Sequence, residues 1–310
     1  MTRQKVRVFS PVNIAFIKYW GKADEVSVLP TTTSLSVTLS DLWTETTISP
    51  SNEDMFSLND RVMTEEEKIR LNSVRMHFPQ EPFTLQTINN FPTAAGLASS
   101  ASGMAAFTVA LDAYFQTKLT LDQLVEITRK GSGSSVRSLV DGFALWHQQG
   151  HVTSIDNPFT DWMMLIVVVS DSKKPVSSRD AMKQTQLTAP LYRRWIKESE
   201  DDLRDMLDAI GEKNEQRVGE IMERNSERLH AIMRNSQPPV IFQQPTSLEI
   251  LNRVKTLRSS YPMLYATMDA GPNVKILVKK AYSETMKKEI EQRFKCRVIV
   301  SSIGGKTHVL

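Results

Sequence analysis

Ser99 and Ser100 stand side by side where a run of very small residues gives way to a helix, in NNFPTAAGLASSASGMAAF (residues 89–107). A helix start exposes unpaired N–H groups and the positive end of a dipole, and a close-packed loop there can wrap an anion if no side chain blocks the approach. Pro92, Ala94, Ala95, Gly96, Ala98, Ala101, Ser102 and Gly103 leave that space open. The two adjacent serines add hydroxyls that can donate to phosphate oxygens or ligate a magnesium ion. The stretch reads as a phosphate cradle of a kind other than the P-loop. Residues this small also serve close packing of a helix on a sheet.

Three further segments concentrate polar chemistry. RKGSGSSVRSL places Ser132, Ser134, Ser135 and Arg137 directly after a helix, where hydroxyls and a bidentate guanidinium could form an anion pocket. SDSKKPVSSRDAM brings Lys173, Lys174, Ser177, Ser178 and Arg179 onto a loop after an apolar strand, the kind of segment that closes on ligands or simply sits in water. NIAFIKYWGKADE spaces Lys18 and Lys22 four apart; in an extended chain they share a face and Tyr19 points the other way. The carboxylate to match these cations is Asp269, in TMDAGPN, at a turn that can present it to a cleft to orient or deprotonate a hydroxyl. Two features are set aside. The Gly-Lys-Thr near the carboxyl end lacks the first glycine of a P-loop and a following helix, and His147 and His151 flank a hairpin without a metalloprotease glutamate.

The elements that must position these groups follow from periodicity. KVRVFSPVNIAFIKYW alternates and breaks at Pro11, and TTSLSVTLSDLWTETTISP alternates again, so the first fifty residues predict strands. TEEEKIRLNSVRMHF predicts a helix with Ile69, Leu71 and Val74 near one face; FTLQTINNF predicts a strand and SGMAAFTVALDAYF an apolar helix. TLDQLVEITRKG predicts a helix capped by Thr120 and stopped at Gly131. A hairpin is expected around Gly150. A domain boundary is placed just before WMMLIVVVS, dividing the chain into 1–156 and 157–310. Residues 190–235 carry apolar residues at helical spacing broken at Gly211, which predicts a helical hairpin packed on a sheet. Helix SLEILNRVKTLRSS, strands YATMDAG and VKILVKK, helix SETMKKEIEQRF and strand RVIVSSI complete an α+β second half.

Composition narrows the function. With 310 residues, 40% hydrophobic and 24% charged, the chain suits two ordinary globular domains. A net charge of +3, with basic and acidic residues interspersed, favours a small anionic ligand over nucleic acid. A single cysteine, Cys296, fits a reducing cytoplasm, and neither a signal-peptide core nor an apolar run of membrane-spanning length is evident.

Taken in order, PVNIAFIKYWGK, LPTTTSLSVTL, NNFPTAAGLASSASG, RKGSGSSVRSL, VVVSDSKKPVSSRDAM and TMDAGPNV resemble the motifs of the diphosphomevalonate decarboxylase family, in the GHMP kinase superfamily. They run from Pro11 to Val274. The resemblance implies a two-domain α+β fold, a ribosomal-protein-like βαβ amino domain with a left-handed crossover and a ferredoxin-like carboxyl domain, with the site in the groove between. It implies ATP-dependent phosphorylation of the 3-hydroxyl of (R)-5-diphosphomevalonate, then loss of phosphate and carbon dioxide to give isopentenyl diphosphate.

By the same resemblance, Gly96, Leu97, Ala98, Ser99, Ser100 and Ser102 bind the ATP phosphates, with Ser99 or Ser100 near magnesium, and Lys174 closes on ATP. Tyr19, Lys22, Ser132, Ser134, Arg137, Ser178 and Arg179 hold the substrate's diphosphate and carboxylate. Asp269 acts on the hydroxyl as base or orienter, with Lys18 in support. A cytoplasmic homodimer is the expected state. One departure stands out: the family usually has an aromatic residue and two glycines after RSL, whereas this chain has Val140-Asp141-Gly142. A carboxylate there either points away from the anion pocket or signals a substrate with fewer charges, such as a monophosphate that a related 3-kinase or decarboxylase would use.

Overall fold

The computed structural model describes residues 3–91, 99–172 and 174–310. Its elements run β1 (Val6–Ile17), β2 (Lys22–Asp24), β3 (Leu29–Pro30), β4 (Ser34–Pro50), β5 (Met55–Leu58), β6 (Arg61–Val62), α1 (Glu65–Arg75) and β7 (Phe83–Asn89). Next come α2 (Ser99–Phe115), α3 (Leu121–Gly131), a 3-10 turn (Gly133–Ser138), β8 (Phe143–Trp146) and β9 (Val152–Ile155). The remainder is β10 (Trp162–Val168), α4 (Ser178–Thr188), α5 (Tyr192–Gly211), α6 (Glu215–Arg234), α7 (Pro245–Leu257), β11 (Tyr265–Met268), β12 (Val274–Lys279), α8 (Lys280–Phe294), β13 (Arg297–Ser302) and β14 (His308–Val309).

The larger sheet is built on the long β1–β4 antiparallel pair, with β7, β5 and β6 extending one side and β8 and β9 joining β4 at its amino end. Pro11 does not end the first strand. It sits at a register shift, where Pro11 faces Trp43 and Val12 faces Leu39, because a residue without an N–H is tolerated at a bulge. The smaller sheet has the order β11-β12-β10-β13, antiparallel throughout. Numbered along the chain, that is 2-3-1-4, the strand order of a ferredoxin-like unit. The chain then returns to the larger sheet, where β14 pairs with β1.

Alternation on β10 explains how the sheets join. Trp162, Met164 and Ile166 enter a core shared with Ile14, Phe16, Leu35 and Val37 of the larger sheet and with Met206, Ile210, Ile221 and Met222 of the α5–α6 hairpin. Leu165 and Val167 face the other way, into a core with α7 and α8. Thr120 caps α3 in a reciprocal capping box with Gln123. Ile69, expected on the buried face of α1, is 67% exposed, while Leu71 and Val74 are buried. The serine-rich segment after β10 also departs from a plain loop: Ser177 caps α4, so Ser178 and Arg179 open a helix.

Candidate active site

Asp269 follows β11 directly and lies between two lysines. Its Oδ1 accepts from Lys18 Nζ at 2.8 Å and its Oδ2 lies 3.2 Å from Lys275 Nζ. Lys18, at the end of β1, is 1% exposed, and Lys275, on β12, is completely buried. About a third of the Asp269 side chain stays exposed. Burial alone would raise the Asp269 pKa, but the two ammonium groups outweigh it and hold the carboxyl well below the ordinary range. Burial, opposed by Asp269 and reinforced by Lys275, lowers the Lys18 pKa to about 8.

Lys275 was not foreseen. The available signal was a lysine at an interior position of VKILVKK, flanked by residues that all turn out to be buried. An interior lysine on a strand core needs an anion nearby.

Arg137 supplies a third buried cation. It lies in the 3-10 turn after α3 and is 4% exposed. Its guanidinium donates to Ser34 Oγ at 2.7 Å and, at 3.3 Å from two nitrogens, to Asn13 Oδ1. Among the described residues it meets no carboxylate directly, and burial lowers its pKa to about 10 against the favourable field of Asp269. Asn13, which also donates to Ser138 Oγ, is a second residue the motifs did not single out. Ser132 and Ser134 face each other at 3.3 Å between hydroxyls. Tyr19 packs on Trp146 with ring centroids 4.7 Å apart, and its hydroxyl pKa is raised by burial while the charges of Arg137 and Arg179 oppose the rise. A side chain at Gly133 would meet both Trp146 and Tyr19 within 3 Å, so glycine there allows the serine turn and Tyr19 to close together.

On the other wall, Lys174 donates to Ser178 Oγ at 3.3 Å and lies over the Phe242 ring at 5.8 Å. Burial and Lys275 lower its pKa, and Asp269 opposes them. Arg179 is exposed in the first turn of α4. Ser100 is exposed in the first turn of α2, which holds no acidic residue. Gly96, Leu97, Ala98 and Lys173 lie outside the described residues.

Two of the expected site residues are engaged within the protein. Gly21 turns the chain at φ +119°, so Lys22 does not share a face with Lys18; it is paired with Glu25 at 2.6 Å. Ser102 is fully buried and bonds the Thr44 hydroxyl at 2.7 Å, which ties α2 to the sheet. Asp141 turns from the pocket toward the carboxyl-terminal loop, accepting from the backbone N–H groups of Gly142 at 2.7 Å and Gly305 at 2.8 Å. His147 and His151 stack at 4.2 Å, and among the described residues no group of three or more His, Cys, Asp or Glu is placed to hold a metal ion.

The assembled site is therefore a cluster of three deeply buried cations and one partly exposed carboxylate. Such a surplus of desolvated positive charge is costly in isolation and suits an anionic ligand.

Residues 10–156 match the model of the diphosphomevalonate decarboxylase-like N-terminal domain, and residues 164–308 match that of the mevalonate 5-diphosphate decarboxylase C-terminal domain. A diphosphomevalonate decarboxylase of Candida albicans is 36% identical over 304 residues, spanning 88% of this chain and 84% of that protein. A solved structure of the mevalonate diphosphate decarboxylase from Enterococcus faecalis superposes with a TM-score of 0.91 at 35% identity, covering 100% of this chain and 99% of the other. A further structure, described as MDDEF in complex with MVAPP, AMPPCP and magnesium, has a TM-score of 0.92 at 36% identity over 100% and 99% of the two chains. With both halves matched in order and the cationic cleft in place between them, the chain belongs to the diphosphomevalonate decarboxylase family.

Proposed function

We propose that this protein is a carboxy-lyase that uses ATP to convert (R)-5-diphosphomevalonate to isopentenyl diphosphate, ADP, phosphate and carbon dioxide. The observation that carries the reading is Asp269 held ionised between Lys18 and Lys275, with the unneutralised Arg137 close enough to influence both Lys18 and Asp269. One carboxylate is available for a hydroxyl, and the remaining cations suit a substrate that is itself multiply anionic. The groove between an amino-terminal unit, 1–156, and a carboxyl-terminal unit, 157–310, holds these groups.

Asp269 accepts a hydrogen bond from the substrate's 3-hydroxyl and orients its oxygen toward the γ-phosphorus of ATP; as the new O–P bond forms and the bond from that phosphorus to the departing ADP oxygen breaks, the carboxylate takes or shares the hydroxyl proton. Lys18 and Lys275 keep that carboxylate deprotonated beforehand. The C–O bond to the new phosphate then breaks, the bond to the carboxylate carbon breaks with it, and that electron pair becomes the double bond of the product. Arg137 and Lys18 stabilise the charge gathered on the departing phosphate and fix the carboxylate, since such steps rely on positioning and charge stabilisation. Tyr19, Ser132, Ser134, Ser178 and Arg179 hold the diphosphate, and Lys174 reaches the nucleotide.

The exposed Ser100 hydroxyl on α2, with no acidic neighbour in that turn, is a hard oxygen donor that fits magnesium shared with nucleotide phosphates. When bound, the ion withdraws charge from the transferring phosphoryl group. The Asp141 carboxylate is taken up by the backbone N–H groups of Gly142 and Gly305, which supports the diphosphate as substrate over the monophosphate. No described helix is long and apolar enough to cross a membrane, and the family resemblance supports a cytoplasmic homodimer, which sedimentation would check.

The direct test is turnover with ATP, magnesium and carboxyl-labelled substrate, as the 5-diphosphate and the 5-monophosphate in parallel. Labelled carbon dioxide, ADP and phosphate in equal amounts from the diphosphate are expected. ADP without carbon dioxide, or turnover of the monophosphate alone, would overturn the assignment.

A further inference from the structure

The two partners of the central ion pair come from distant parts of the chain, Lys18 from the end of β1 and Asp269 from the end of β11. Neither strand pairs with the other. Helix α6 touches both. Asn225 Oδ1 accepts the backbone N–H of Lys18 at 2.8 Å. The next residue, Ser226, accepts the backbone N–H of Met268 at 2.9 Å and donates to the Met268 carbonyl at 3.1 Å, so both backbone groups of the residue preceding Asp269 are held by one hydroxyl. Asn225 is completely buried and Ser226 is 5% exposed.

The contacts continue along the helix. Glu223 Oε1 accepts the Ala266 N–H at 2.8 Å, and at Gly219 a side chain would meet the Tyr265 ring at 2.1 Å. Gly219, Glu223 and Ser226 are thus matched to Tyr265, Ala266 and Met268. From 219 to 226 the helix rises about 10.5 Å, and from 265 to 268 the strand rises about 10 Å. The helix and strand run in the same direction and stay in register, which requires the close approach that glycine permits.

Asn225 is itself fixed. Its Nδ2 donates to Asp202 Oδ2 at 3.0 Å, and Asp202, completely buried on α5, also accepts from Arg224 Nε at 2.7 Å and Arg228 Nη1 at 2.6 Å. Further along the same segment, the Tyr192 hydroxyl of α5 donates to the Trp20 carbonyl at 3.0 Å. The α5–α6 hairpin therefore grips the Lys18–Trp20 backbone at two points.

We propose that Asn225 and Ser226 are positioning residues that set the separation of Lys18 from Asp269, so that α6 acts as a rigid gauge between the two strand ends. Neither touches the reacting atoms. Each acts through the backbone of one member of the pair, and a misplacement of about 1 Å in such a pair can cost on the order of a hundredfold in rate. The proposal rests on the decarboxylase reading, which wild-type carbon dioxide release tests separately.

The test is the kinetics of Asn225→Ala and Ser226→Ala in the full-length protein, each also placed in a Lys18→Met background. Each single change is expected to lower kcat by about tenfold to a hundredfold with KM for both substrates within about twofold. In the Lys18→Met background the Asn225→Ala change should cost little more, because the group it positions is gone. Ser226→Thr, which keeps the hydroxyl, should recover most of the rate lost in Ser226→Ala. Equal losses for Asn225→Ala in both backgrounds, unchanged kcat in the single variants, or no recovery with threonine would each overturn the proposal. Should an alanine variant fail to fold, Asn225→Asp and Ser226→Thr give the same comparison, with near-native kcat expected from Ser226→Thr and a reduction in kcat alone from Asn225→Asp.

Discussion

At the scale of single residues, the central object is one carboxylate between two ammonium groups, and its consequences appear in pH profiles. The buried Lys18 must stay charged to support Asp269, and its pKa is lowered to about 8, so kcat should fall as pH rises through that value. The positive charge of Lys275 is one of the causes of that lowering. Lys275→Met is therefore expected to reduce kcat by roughly tenfold to a hundredfold through loss of one Asp269 partner, and to move the alkaline limb upward. An unchanged or downward-shifted limb would contradict the account. His230 supplies a stability prediction. It is buried on α6, its Nε2 meets no hydrogen-bond partner among the described residues, and burial together with Lys18 and Arg234 lowers its pKa to about 3. An unfolded histidine titrates near about 6.5, so the unfolded chain binds the extra proton below that pH. Stability should be lost as pH falls from about 6.5 toward 4. Denaturant unfolding at pH 7 and pH 5 should show this loss, and His230→Phe should flatten it.

At the scale of elements, turns and packing decide which residues reach the cleft. Gly21 adopts φ +119°, and an added side chain would meet the Tyr192 hydroxyl at 1.7 Å. Gly21→Ala should cost about 1–3 kcal/mol in unfolding free energy and weaken activity, because both the backbone conformation and the Tyr192 bond to Trp20 must give way. Much of this level was legible beforehand. The α5–α6 hairpin follows from apolar spacing broken at Gly211, and the cap on α3 from Thr120 at the head of TLDQLVEITRKG. What was not legible depended on tertiary contact. Only its interior place in VKILVKK sets Lys275 apart locally from the lysines that follow it; its role comes from the strand register that carries it to Asp269. The resemblance places Ser102 among the ATP-binding residues, and no local feature reveals that Thr44 on the sheet supplies a hydrogen-bond partner for it. Pro11 was read as a strand end because a bulge is a property of two strands and only one is visible locally. Ile69 fits a helical stripe, but α1 buries the narrower face of Leu71, Val74 and Arg75.

At the scale of the whole molecule, each sheet has a core of its own, and a third, shared core joins them. One core runs from β1 and β4 through β10 and β12 into the α5–α6 hairpin, and β14 carries the end of the chain back to β1. Unfolding should therefore be a single transition, with tryptophan fluorescence and far-ultraviolet dichroism coincident. Met164, completely buried in that shared core, should cost about 2–5 kcal/mol on replacement by alanine while leaving one transition. Two separated transitions would contradict a continuous core. The same continuity explains how residues as distant in sequence as Lys18, Arg137 and Asp269 share one electrostatic environment.

The most direct measurement of the central claim is labelled carbon dioxide release in wild type and Asp269→Asn, alongside direct binding of the diphosphate substrate to both. The account predicts a loss of release by about a hundredfold to ten-thousandfold in Asp269→Asn with substrate still bound, because the cations that hold the anion remain in place. Release at the wild-type rate from Asp269→Asn would show that the carboxylate between Lys18 and Lys275 is not the group that acts on the hydroxyl.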